Sequence, residues 1–102
     1  MSIKKYFGDS LWFDITVEGY LEVDSVWANW SAQWAILDSG GVTVASGTMS
    51  TVTAGVFYAR ITPAVMATVT VATYTLVVQV NNPTAEYSQE LHDKLVILTK
   101  GI

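Results

Sequence analysis

The chain has no cysteine, one histidine and two prolines. Without cysteine there is no disulfide framework, no thiolate metal site and no cysteine nucleophile. A single histidine excludes multi-histidine metal sites and argues against a Ser-His-Asp triad with a spare base. Charge is also scarce, at 14% of residues, against a usual share of about a quarter. The balance is acidic, with a net charge of -4, which argues against nucleic-acid binding. No apolar run of roughly 7–15 residues follows Lys4 and Lys5, so no secretory signal peptide is expected.

What the chain does have is apolar surface. Hydrophobic residues make up 51% of its 102 residues, enough to offset the entropy of ordering one compact domain. Residues 61–85 carry no charge and are long enough for a membrane span. Their threonines, Gln79, Asn81, Asn82, Pro63 and Pro83 would put polar groups all round such a helix. A strand with threonines toward solvent is expected instead, and no membrane association.

Charge is unevenly placed. Lys4, Lys5, Asp9, Asp14, Glu18, Glu22 and Asp24 occupy the first quarter, and Glu86, Glu90, Asp93, Lys94 and Lys100 the end. Between Ser25 and Ala85 only Asp38 and Arg60 are charged. Charged side chains on sheet edges normally block edge-to-edge pairing, and the middle of this chain lacks them. Two readings follow: a surface that other subunits cover, or a small β domain that relies on its 8 serines and 12 threonines for solubility.

The dominant hydrophobic period is two. Leu11, Phe13, Ile15 and Val17 alternate with Trp12, Asp14 and Thr16. Trp30, Ala32, Trp34 and Ile36 alternate with Ser31, Gln33, Ala35 and Leu37. Asp38-Ser39-Gly40-Gly41 signals a turn, and Val42–Ser46 returns, with Gly47 at a bulge or bend. Ala54-Gly55 opens a strand from Val56 to Ile61, which Thr62-Pro63 ends. Residues 64–69 read as a helical turn or loop. Thr73–Val80 is a strand with Tyr74, Leu76, Val78 and Val80 on one face. After the turn Asn81-Asn82-Pro83-Thr84, residues 86–98 place Leu91, Leu95 and Ile97 inward. This gives about seven strands, the pattern of an all-β, immunoglobulin-like antiparallel β-sandwich. Residues 8–102 form the single domain and residues 1–7 an N-terminal arm. One alternative stays open: Trp27, Trp30 and Trp34 at spacings of three and four also fit a helix over 25–37.

Several segments carry a family likeness. They are Gly8-Asp9-Ser10-Leu11, Trp34 to Gly41 leading into Val44-Ala45-Ser46-Gly47, Gly55 to Pro63, and Tyr74 to Val80. Together they resemble small immunoglobulin-like β-sandwich domains of tailed-phage virion proteins, such as the N-terminal domain of a baseplate upper protein. The likeness spans residues 8 to 98. The family often has glycine before the Tyr strand, where this chain has Ala72-Thr73, and the disulfide of antibody-type domains is absent. The resemblance implies a non-catalytic structural protein of the virion, made in the host cytoplasm. It would dock on capsid, neck or tail subunits, as a homo-oligomer or in many copies.

The residues offer little chemistry of their own. On a strand, Glu86, Ser88, Glu90, His92 and Lys94 share one face. Glu90 and His92 supply two metal ligands where zinc needs three or four, so a solvated face balanced by Lys94 is expected. Asp9, Asp14, Glu18, Glu22 and Asp24 lack calcium-loop spacing and read as a solvated acidic rim. Two carboxylates of a glycosidase need a cleft that a domain this small scarcely holds. Asn29-Trp30-Ser31 matches a glycosylation sequon by chance. No catalytic, metal or cofactor residues are expected.

The four tryptophans are many for this length. Trp34 and Tyr74 read as core, where each ring buries about 150–250 Å². Trp12 and Trp27 stand out of phase with their inward neighbours, and Tyr6 and Phe7 lie on the arm. These four are the candidate interface residues. A carbohydrate-binding module with Trp12 and Trp27 as an aromatic platform is the alternative function.

Overall fold

The structure, a computed structural model, describes residues 2–99. Its elements run β1 (Ser2–Tyr6), β2 (Leu11–Thr16), α1 (Tyr20–Val23), a 3-10 turn (Trp27–Asn29), β3 (Ser31–Leu37), β4 (Thr43–Thr48), β5 (Val56–Ile61), α2 (Pro63–Met66), β6 (Ala72–Asn82) and β7 (Tyr87–Leu98). The strands form a five-stranded sheet, β1-β7-β6-β3-β4, and a two-stranded sheet, β2-β5. The fold is therefore an all-β, sandwich-like one. The order β7-β6-β3-β4 with β2-β5 is that of strands G-F-C-C′ with B-E in variable-type immunoglobulin sandwiches.

Alternation decides which residues meet between the sheets. Ala32, Trp34 and Ile36 of β3 and Tyr74, Leu76, Val78 and Val80 of β6 are buried. From the smaller sheet come Leu11, Phe57, Ala59 and Ile61, and all belong to one hydrophobic cluster. Tyr74 also keeps its polar end satisfied: its hydroxyl donates to the Thr70 carbonyl at 2.9 Å. Immunoglobulin sandwiches show the same upstream backbone bond from a tyrosine near the start of strand F.

The turns follow their residues. Asp38 Oδ1 accepts from the N–H groups of Gly40 and Val42, both at 2.9 Å, and Gly41 takes a φ of 82°. Thr62 caps α2 by accepting from Val65 N–H, with Pro63 in the first turn, where its missing donor costs nothing. Residues 61–85 thus hold a short helix and a strand. Over 25–37 the strand reading holds from Ser31 onward, while Trp27 and Trp30 sit on the 3-10 turn and its end. Their spacing of three reports that turn rather than a longer helix.

Several expectations change. Residues 2–6, read as an arm, form β1, which pairs with β7 in parallel, from Ser2 opposite Lys94 to Tyr6 opposite Leu98. The sandwich is consequently mixed rather than purely antiparallel. After Tyr6 the chain turns at Gly8, φ 84°, into the other sheet, so β1 and β7 share no hairpin to force them antiparallel. Leu91, expected inward, is 42% exposed. Among the described residues β1 pairs with β7 from Lys94 onward, so Leu91 lies on an edge with no described β1 residue opposite it.

Gly47 has a packing reason rather than a bulge. A Cβ there would stand 2.9 Å from the buried Trp34 indole; the register shift falls at Ile36/Leu37 instead. Gly47→Ala should therefore destabilise the fold by about 1–3 kcal/mol, as overpacking does. Gly40→Ala, with only Asp38 Oδ1 at 3.4 Å, should have little effect. Parallel urea titrations of the two variants check this contrast.

Candidate interaction surface

The outer face of the β2–β5 ribbon gathers the residues that alternation turns away from the core. The register sets Trp12 opposite Arg60 and Asp14 opposite Tyr58. The Arg60 guanidinium lies 5.1 Å from the Trp12 ring centre and 4.8 Å from that of Tyr58. Its Nη1 donates to Asp14 Oδ1 at 2.8 Å and to the Ala59 carbonyl at 3.0 Å.

None of these exposed contacts adds much stability. A surface ion pair is worth about 0–1 kcal/mol, and an exposed cation–π contact about 0.5–1 kcal/mol. Their effect is to order Arg60, Trp12 and Tyr58 before any partner arrives. Trp12 nevertheless leaves 65% of its surface in water. An exposed, ordered ring is chemically suited to stack on another flat or apolar group. Trp, Tyr and Arg are also the residues that dominate binding energy at protein interfaces.

Of the four interface candidates, the structure leaves Trp12, Tyr6 and Phe7 exposed, the latter two at 50% and 38% where β1 ends. Trp27 is different. Its ring packs on Tyr20 at 4.9 Å and Phe57 at 4.7 Å, and its Nε1 donates to Thr51 Oγ1 at 3.0 Å. Trp27 is therefore half-buried and links the 3-10 turn to β5, with its ring held by these contacts rather than left open as that of Trp12 is. Tyr58 and Arg60 were not singled out from the sequence. The available signal was that both fall on the polar phase of β5, and that Arg60 is the one cation between Ser25 and Ala85.

The other polar clusters are arranged as structure. Glu90 and His92 pair at 3.1 Å, each side chain 56% exposed, so no enclosed site surrounds them. Among the described residues no three His, Cys, Asp or Glu side chains converge as a metal site. The acidic residues of the first quarter diverge, Asp14 to Arg60 and Asp24 to an internal node. Asp24 accepts from Asn29 Nδ2 at 2.8 Å, Asn82 Nδ2 at 3.1 Å and Val26 N–H at 3.0 Å. Its carbonyl accepts from Trp30 Nε1 at 3.0 Å. The sequon residue Asn29 is thus engaged within the fold, and the fully buried Asn82 finds its partner across the chain.

The Asn29 amide, then the Val26 N–H and the Asn82 amide, hold the Asp24 carboxyl below its usual range, against a smaller opposing effect of burial. A lowered folded-state value means stability that is present above the unfolded value of about 3.9 and lost as pH falls through the folded one. Asp24→Asn should therefore lower the Tm at neutral pH and flatten its fall below about pH 4. Thermal melts of both proteins from neutral to acid pH check both points.

Compared with protein-family models and with curated proteins, the sequence matches none.

Proposed function

We propose that this chain is a non-catalytic structural protein of a tailed-phage virion, docking on capsid, neck or tail subunits through the outer face of β2–β5. The observation that carries docking is the ordered Trp12–Arg60–Tyr58 patch, with Trp12 left 65% exposed on a strand that fixes its position. The virion reading rests on the resemblance of residues 8–98 to the immunoglobulin-like domains of such particles. Affinity would come from aromatic and apolar burial around Trp12, with Asp14 and Arg60 supplying polar contacts at the rim. Mass spectrometry of gradient-purified particles of the phage encoding the chain tests this. Its peptides are expected in the particle fraction; their absence from intact particles, with the protein present in the lysate, would refute the reading.

The same exposed ring supports a second reading, a carbohydrate-binding module that stacks a sugar on Trp12. It requires a change in tryptophan fluorescence on adding a glycan, abolished in Trp12→Ala. An unchanged spectrum across a glycan panel removes it.

A further inference from the structure

Only part of β7 has a strand on each side. Among the described residues β1 pairs with it from Lys94 onward, which leaves the stretch from Tyr87 to Leu91 at the rim of the larger sheet. A groove between residues 15–18 and this rim leaves Leu91 42% exposed, and Gln89 is exposed beside it.

The hydrogen-bond phase of β7 identifies the groups on offer. Phe7 N–H donates to the Leu98 carbonyl at 2.8 Å, so Leu98 turns its main chain toward the β1 side. The register with β6 runs unshifted from Ile97 to Tyr87. With a period of two, Ser88 and Glu90 therefore turn their N–H and C=O groups to that same side, and Tyr87, Gln89 and Leu91 turn theirs to β6. Among the described residues, no main-chain group bonds to Ser88 or Glu90 from beyond the rim.

We propose that a second copy of this chain pairs antiparallel along this rim, with Gln89 on the two-fold axis. Ser88 of each copy then faces Glu90 of the other, and the N–H of each donates to the carbonyl of the other. Side chains directly opposite stand about 4.5–5.5 Å apart at Cβ. On the inner face Tyr87 meets Leu91 of the other copy, and the two Gln89 amides meet each other. On the outer face Glu90 meets Ser88, and Glu86, just before the strand, falls opposite His92. The neighbouring registers fail. An axis at Glu90 sets the two Glu90 carboxylates directly opposite, and an axis at Ser88 sets Glu90 opposite Glu86, where like charges repel. An axis at Leu91 sets Ser88 opposite Lys94, where β1 already stands. Charge on an edge normally blocks pairing, but with Gln89 on the axis no like charges stand directly opposite. At Glu86, φ 54°, the chain turns off toward β6 before the position opposite Lys94 of the other copy, where that copy's β1 begins. The axis is perpendicular to the joined sheet, so both Trp12 patches lie on one side of it and stay free. The pairing does not depend on the virion reading.

Sedimentation equilibrium of the full chain at high micromolar concentration tests the pairing. The wild type is expected at twice 11.1 kDa. Gln89→Lys places two cations on the axis, and Gln89→Glu two carboxylates. Each variant alone is expected at 11.1 kDa with an unchanged circular-dichroism spectrum, and their equimolar mixture is expected to regain the doubled mass. Gln89→Cys reports the register. The two axial Cα atoms form a narrow pair at about 4.5 Å, within reach of a disulfide, and the chain has no other cysteine. Mild oxidation is expected to link copies through Gln89→Cys and not through His92→Cys, which stands away from its own counterpart. A wild type at the single mass, a Gln89→Lys variant at the double mass, or linkage through His92→Cys in place of Gln89→Cys overturns the pairing. None of these results bears on docking through Trp12.

Discussion

Leu95→Ala is expected to cost about 2–5 kcal/mol of unfolding free energy. Leu95 is 0% exposed, with Ile3 of β1 opposite it on one side and Tyr74 of β6 on the other. Truncation leaves a cavity between strands already fixed by backbone bonds, so the walls can collapse little. A domain of this size has a total stability of about 5–15 kcal/mol, and each kcal/mol moves the Tm by roughly 4–8 °C. Leu91→Ala is the informative companion. The same substitution in the same strand, at a residue 42% exposed, should cost far less. Urea unfolding followed by tryptophan fluorescence measures both, and equal losses would contradict the assignment of Leu91 to a free edge.

Trp12→Ala is expected to weaken binding to the particle by about 30-fold or more, the effect of losing an interface residue worth about 2 kcal/mol. Its stability should stay within about 0.5 kcal/mol of wild type, as for other exposed positions. The ring touches mainly Arg60 and solvent, so its removal opens no cavity. Trp27→Ala should behave in the opposite way. It breaks the ring contacts with Tyr20 and Phe57 and the bond to Thr51, so the unfolding midpoint falls. A binding titration and a thermal melt on each variant separate the two roles. Loss of stability in Trp12→Ala would place that ring in the core.

The strands were legible because the period-two rule reports a physical asymmetry: each buried face meets the other sheet, and each polar face meets water. Leu11–Thr16, Val56–Ile61 and the Tyr74–Val80 face follow directly from it, as do the Asp38 turn and the Thr62-Pro63 stop. Pairing between distant segments was not legible. Ser2–Tyr6 becomes a strand because β7 offers it an edge, and Leu91 is exposed where no described residue of β1 stands opposite it. Neither fact is written in local sequence. The place of Trp27 beside Tyr20, Phe57 and Thr51 was not legible from its phase, because its hydrogen bond to Thr51 spans 24 positions. The Trp12 side of the candidate surface was readable from its phase. Tyr58 and Arg60 joined it only through the cross-strand register.

Hydroxyl-radical footprinting of the chain, free and bound to the particle, tests the docking face most directly. The account predicts that oxidation of Trp12 and Tyr58 falls on binding while His92, on the outside of the larger sheet, reacts as before. Undiminished oxidation of Trp12 in the bound protein, with protection confined to the face bearing His92, would contradict it.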